Sequence, residues 1–275
     1  MSGYERCVVT FLDILGFRSL LGRKSAEEIA SDLVKFRKFT EGDEPHQPRR
    51  MKDYRLQSEV RAEIISDAIV RVRTTETQYQ DGPFVWELLD LLHIQIDCIA
   101  NGILIRGAMQ IGDMHLGMSL EGPVFGQALV DAYLMEENDV VFPMIAVDQE
   151  VVRQHLKDER LWLEGHSARD EQDYADRLLA QDERGIWFID YLRASLNEMD
   201  AYYHGWIEFL RMHRDLISRE LNAGHPERVR EKFDWLRDYH NRTVNKARRS
   251  FDVDEGIEEF GDRLENIFAD LIVPE

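Results

Sequence analysis

"ERCVVTFLDILGFRSL", residues 5–20, decides how the chain begins to fold. Alternate residues form two sets: Cys7, Val9, Phe11 and Asp13 on one face of an extended strand, and Val8, Thr10 and Leu12 on the other. Both sets are mostly apolar, as in a central strand, and a single acid interrupts them. A buried carboxylate without a partner is costly or takes up a proton, so Asp13 needs a cation, a donor network or a strand end. Gly16 then marks a strand-to-helix turn where backbone can approach another group closely and the first helical N–H groups can meet phosphate oxygens. Capping of the helix after "ILGF" is the other reading of Asp13.

Working outward, "SAEEIASDLVKFRKFTEG" (25–42) predicts an amphipathic helix capped by Ser25, with acids in its first turn and an apolar stripe of Ile29, Leu33, Val34 and Phe36. A polar loop, "DEPHQPRRMKDYRLQS" (43–58), precedes "EVRAEIISDAIVRVRTT" (59–75), which predicts two antiparallel strands with Ser66 and Asp67 at the tight turn. "PFVWELLDLLHIQIDCIANG" (83–102) predicts a helix ended by Asn101 and Gly102. A strand pair follows in "ILIRGAMQIGDMHL" (103–116) and "GPVFG" (122–126), then a helix in "QALVDAYLMEEN" (127–138) and a strand in "VFPMIAVDQE" (141–150).

That order implies an α+β fold, a ferredoxin-like antiparallel sheet with helices packed on one face, over residues 1–150. Residues 151–275 are expected as a helical extension packed on this core. Its first part, 151–185, is highly charged and suits a helix plus a surface loop. "WIEFLRMHRDLISRELNAG" (206–224) and "PERVREKFDWLRDYHNRTVNKARR" (226–249) predict an antiparallel helix pair, with the turn signals Asn222, Gly224 and Pro226 between them.

The net charge of −19 argues against a surface that grips nucleic acid or anionic lipid, since such affinity comes from Lys and Arg neutralising phosphates. Cys7 and Cys98 lie in apolar runs without metal-ligand spacing and read as small buried hydrophobes, as in a reducing cytoplasm. There is no basic segment followed by an apolar stretch at the N-terminus and no apolar run of membrane-spanning length, so a cytoplasmic protein without a membrane partner is expected.

The ferredoxin-like order permits the first strand to pair with the hairpin, which would bring Asp13 and Asp67 together. Two carboxylates at adjacent strand ends repel unless a cation lies between them. Hard oxygen ligands of this kind suit Mg²⁺ or Mn²⁺, singly or as two divalent ions.

"FLDILGF", "IISDAIVRV", "IRGAMQIGDMHL" and "GPVFGQALVDAYLMEE" occur in the order and approximate spacing of the class III nucleotide cyclase catalytic domain. More closely, the chain resembles that family's bacterial branch, the pyrimidine cyclases of the Pycsar anti-phage system. The resemblance runs through residue 148, and the later "FIDYL" and "FDWLRDYHN" are similar to that branch as well. It implies conversion of UTP, with CTP second, to the 3′,5′-cyclic nucleotide and pyrophosphate. The product would be a second messenger read by a separate cyclic-nucleotide-sensing effector. It also implies a homodimer with active sites at the interface. A purine cyclase acting on ATP or GTP, and a catalytically silent nucleotide-binding relative, are the alternatives.

By position, the resemblance makes Asp13 and Asp67 the metal-binding aspartates and the Ile14 carbonyl a further ligand. The backbone of Ile14, Leu15, Gly16 and Phe17 becomes the phosphate-binding turn. The residue four before the second aspartate, Glu63, falls where the family contacts the base, although Glu63 could equally pair with Arg61, Arg71 or Arg73. Tyr54 is a second base-binding candidate, because a phenol can stack on a pyrimidine and hydrogen-bond to it. The transition-state asparagine and arginine of purine cyclases fall at Val130 and Leu134. Another cation would then be needed, with Arg106, Arg18 and Lys24 available, although Arg106, within a strand, could be structural.

Overall fold

The computed structural model describes residues 3–41, 60–76, 80–117, 123–199, 203–251 and 264–274, the side chains of residues 65 and 251 excepted. The chain forms two compact units. One comprises Met1–Cys98 with Ile103–Asp190, and the other Tyr191–Glu275 with Ile99–Gly102.

The first unit is built on one sheet. Its elements run β1 (Glu5–Ile14), α1 (Phe17–Leu20), α2 (Ala26–Thr40), β2 (Val60–Ile65), β3 (Ala68–Thr74), α3 (Pro83–Ala100), β4 (Ile105–His115), β5 (Phe125–Gly126), α4 (Gln127–Asp139), β6 (Ile145–Val147), α5 (Gln149–His155), α6 (Ala168–Leu178), β7 (Leu179–Gln181) and β8 (Trp187–Ile189). The strand order is β2-β3-β1-β4-β6-β8-β7, with β5 paired to β4. The fold is α+β as the sequence implies. The sheet is mixed rather than wholly antiparallel, because α4 carries the chain across so that β6 runs parallel to β4.

β1 is the central strand its two apolar faces require. On one face Cys7 and Val9 pack with Val70, Val72, Met114 and Ala128 of α4, and Phe11 and Leu129 border them. The other face, which holds Val8 and Thr10 opposite Arg73 and Arg71, meets α3, where Glu87 pairs with both arginines. Helices therefore cover both faces, not one as the sequence order suggested. Cys7 and Cys98 are buried thiols, and burial pushes Cys7 up to about 12.

Ser25 caps α2 as expected, and the structure adds a capping box, Ser25 accepting from the Glu28 amide and Glu28 accepting from the Ser25 amide. It buries Phe36, but Val34 is 63% exposed, so the real stripe is narrower than the spacing predicts. The largest departure lies in residues 151–185. The charged stretch contains α5 and α6, and Leu179–Gln181 pairs with β8 as the far edge of the sheet.

The second unit contains α7 (Tyr191–Ala194), α8 (Tyr203–Leu221), α9 (Glu227–Phe251) and α10 (Leu264–Leu271). Of the residues that helical spacing places between α8 and α9, Trp206, Phe209, Leu210, Ile217, Phe233, Leu236 and Tyr239 are buried, while Leu221 and Val229, next to the connecting turn, are half-buried. A hydrogen-bonded chain crosses this core: Tyr191 Oη to His213 Nε2 (2.8 Å), His213 Nδ1 to His240 Nδ1 (3.0 Å), and His240 Nε2 to the Leu271 carbonyl (2.8 Å). The carbonyl can only accept, so the proton on His240 lies at Nε2 and each preceding donor is fixed in turn. Burial keeps both imidazoles neutral, with His240 lowered to about 4.

Candidate active site

The acid that interrupts β1 stands where three elements meet. Asp13 lies opposite Ala68 of β3 and opposite Arg106 of β4. Asp67 occupies the two-residue turn between β2 and β3, where Ser66 adopts a left-handed φ of 61°. The Ile14 amide donates to the Asp67 carbonyl at 3.3 Å, which ties that turn to the end of β1. Asp13 and Asp67 are thus neighbours. Their placement depends on close approach of β4, since a Cβ on Gly107 would collide with the Phe11 carbonyl and the Leu12 side chain.

The electrostatics at this point are uneven. Burial raises the Asp13 carboxyl from its ordinary 3.8 to about 7, the negative charges of Glu136 and Asp67 add to the rise, and Arg106 opposes it. A hydrogen bond between the Asp13 and Asp67 carboxyls, which needs a proton between them, works in the same direction as burial. Arg106 reaches Asp13 Oδ2 only at 3.5 Å, whereas its Nε lies 2.5 Å from Glu136 Oε1 and its Nη1 donates to the Val140 carbonyl at 3.2 Å. Three acids and one arginine therefore share the site.

Glu136 and Val140 escape a reading of the sequence. The available signal was the buried stripe of α4, Ala128, Ala132 and Glu136, each four residues from the last. Two small residues and an acid on an inward helix face mean that the acid has a partner in the sheet.

The donor set fits a hard divalent cation: it offers only oxygen, it carries surplus negative charge, and it contains a carboxyl held near neutrality that a cation would return to the ionised form. Among the described residues no group of three or more His, Cys, Asp and Glu side chains could hold a metal ion, so two carboxylates would need backbone, water or substrate oxygens to complete a shell.

Around this pair, Gly16 takes a left-handed φ of 75° and precedes the single turn of α1. The Leu15 amide donates to the Leu104 carbonyl at 2.8 Å, so with Ile14 also engaged, the Phe17 and Arg18 amides are those without an acceptor inside the helix. The Arg18 side chain is exposed on α1. Lys24 is paired with Asp32 at 2.6 Å. Glu63 on edge strand β2 is ion-paired with Arg61, whose Nη1 donates to the Leu116 carbonyl at 2.6 Å. Arg71 and Arg73, the other partners open to Glu63, turn to the opposite face and bind Glu87 and Asp90. Tyr54 lies outside the described residues. Val130 and Leu134 are on the outward side of α4, 48% and 45% exposed.

No family model and no curated protein matches the chain. Among solved structures it is similar to the monomeric guanylyl cyclase domain of the RhoGC fusion protein from the aquatic fungus Blastocladiella emersonii, at 14% identity over 68% of this chain and 95% of that one, with a TM-score of 0.39. It is also similar to the catalytic core of a rhodopsin-guanylyl cyclase with converted specificity in complex with ATPalphaS, at 16% identity over 68% and 96% of the two chains, with a TM-score of 0.41. Among the described residues no helix is long and apolar enough to cross a membrane.

Proposed function

We propose that this chain is a metal-dependent nucleotide cyclase that closes UTP, with CTP second, to the 3′,5′-cyclic nucleotide. The observation that carries the cyclase reading is the adjacent acid pair Asp13 and Asp67, with Asp13 raised to about 7 at the end of a central strand and a glycine turn directly after it. The ordered motifs from "FLDILGF" to "GPVFGQALVDAYLMEE" support the family, and the pyrimidine preference rests on that resemblance alone.

In this reading Asp13, Asp67 and the Ile14 carbonyl would hold two Mg²⁺ or Mn²⁺ ions, whose chemistry there would be to lower the pKa of a ribose 3′-hydroxyl and to offset charge on the leaving pyrophosphate. The 3′-oxygen bonds to the α-phosphorus as the bond to the bridging oxygen breaks and the hydroxyl proton passes to solvent. The Gly16 turn and the Phe17 amide receive triphosphate oxygens; of the candidate cations, Arg106 is held mainly by Glu136, which leaves Arg18, exposed on α1, to supply the positive charge that Val130 and Leu134 cannot. Glu63 is a weaker base reader than its position implies, because Arg61 already occupies it.

A homodimer completes this reading. α4 buries Ala128, Ala132 and Glu136 while exposing Val130, Tyr133 and Leu134, an inversion of ordinary amphipathicity that a second copy would cover. The cyclic product would act through a separate effector as a cytoplasmic anti-phage signal.

The test is incubation with each of the four ribonucleoside triphosphates and Mn²⁺, with products separated by chromatography. Cyclic UMP as the main product, absent with Asp13→Asn and Asp67→Asn, is the expected result. Product from ATP or GTP alone replaces the pyrimidine reading with a purine one. No product from any triphosphate, with binding retained, identifies a silent relative.

A further inference from the structure

The last turn of α4 grips one arginine from two sides. Glu136, 2% exposed, lies 2.5 Å from Arg106 Nε, and the carbonyl of Val140, the residue that caps α4, accepts from Arg106 Nη1 at 3.2 Å. A helix C-terminus carries partial negative charge, so the carboxylate and the carbonyl act together on the guanidinium. The remaining amino group of Arg106, Nη2, makes only a long contact with the acid pair, 3.5 Å from Asp13 Oδ2. Ionic attraction grows as separation and local dielectric fall, so the positive charge of Arg106 is committed mainly to Glu136.

We infer that Glu136 is a positioning residue for the Asp13/Asp67 site: it holds Arg106 against α4 so that the Asp13 oxygens stay open to a divalent cation. The inference rests on the metal-binding reading of that pair. Glu136 does not itself reach the reacting atoms. Without its carboxylate, Arg106 needs only a small side-chain movement to close on Asp13, and a guanidinium paired with that carboxylate occupies the oxygens a cation would use. The Asp13 carboxylate would change partner while the sheet stayed as it is.

Mn²⁺ binding to the nucleotide-free full chain, followed by the paramagnetic signal of free Mn²⁺, tests this, with thermal unfolding in chelator as the check on folding. E136Q is expected to weaken Mn²⁺ binding by about 10- to 100-fold, the usual effect of removing an outer partner of a metal ligand. E136D keeps the charge but shortens the arm, so it releases Arg106 and weakens binding as well. E136Q combined with R106Q removes the blocking group and restores wild-type binding.

Wild-type binding by E136D together with weak binding by E136Q would mean that Glu136 acts only as a distant charge, and the inference falls. Failure of the double variant to restore binding would mean local disruption, and the inference also falls. Wild-type affinity in E136Q overturns it directly. If E136Q alone does not fold, E136D and the double variant still decide. Absence of Mn²⁺ binding by the wild-type chain is a different result, because it removes the metal site on which the inference stands.

Discussion

Two groups of acids and arginines lie on opposite faces of the same sheet and are built differently. On the α3 face, Arg71 and Arg73 meet Glu87 and Asp90 at 2.6–3.0 Å, two cations against two acids. Burial alone would push Glu87 up, but Arg71 and Arg73 outweigh it and hold the carboxyl at about 2. On the α4 face, Asp13 and Glu136 share Arg106, Asp67 adds a further negative charge beside Asp13, and Asp13 moves up to about 7. A balanced buried network serves the fold. A buried group with surplus negative charge destabilises the fold unless something positive joins it, which is the property of a site.

The largest expected effect is on the balanced side. Glu87→Ala leaves two buried guanidinium groups short of a partner and is expected to lower unfolding free energy by about 3–5 kcal/mol, read from a denaturant titration. A loss under ~1 kcal/mol would show that the two faces do not differ in the way proposed.

The unbalanced side predicts the opposite sign. In chelator, the unfolded chain releases the Asp13 proton near pH 4, while the folded chain keeps it until about pH 7. Wild-type stability therefore falls across that window and stays low above it. Asp13→Asn removes this loss, so at pH 8 it is expected to be more stable than wild type by on the order of 2–4 kcal/mol, and equal to it near pH 4. Melting curves at the two pH values measure the difference.

A cation should correct the same imbalance. At Mn²⁺ concentrations near 100 times the dissociation constant, linkage gives about 2.7 kcal/mol of added stability. The gain should be present at pH 8, fade as Asp13 protonates below about pH 7, and be absent in Asp13→Asn and Asp67→Asn. Glu87→Ala chains that remain folded should keep it, since their defect lies on the other face.

The smallest effect sharpens the comparison at the rim. Glu63 pairs with Arg61 at partly exposed positions on edge strand β2, so Glu63→Gln should change stability by less than about 1 kcal/mol. In a base-reading role it should still shift the ratio of UTP to CTP turnover. A fixed ratio with both rates reduced assigns Glu63 to the strand and passes the test to Tyr54.

Much of this arrangement was legible in the residues. Period-two patterning located β1, β2, β3 and β4, Ser25 as an N-cap followed by acids set the start of α2, and the lone acid in an apolar strand marked Asp13 as a position needing a partner. β7 and β8 were not legible: each has three residues, too few to display a period, and they follow a charged helix. Val34 shows the limit of spacing arguments, because a helix stripe one residue wider than the surface it meets leaves its edge in water.

The sequence by itself determined the order of strands and helices through β6 and the glycine turn between strand and helix, because these follow from backbone periodicity and local sterics; it permitted the pairing of β1 with β3 that sets Asp13 beside Asp67, and the tertiary structure made it. Only the tertiary structure decided which charges are compensated. The packing of α4 across β1 and β4 gave Arg106 chiefly to Glu136, and the packing of α3 took Arg71 and Arg73, two of the partners open to Glu63, to the other face. Charge pairing depends on separations of a few ångströms between elements far apart in the chain, and no local pattern encodes those separations.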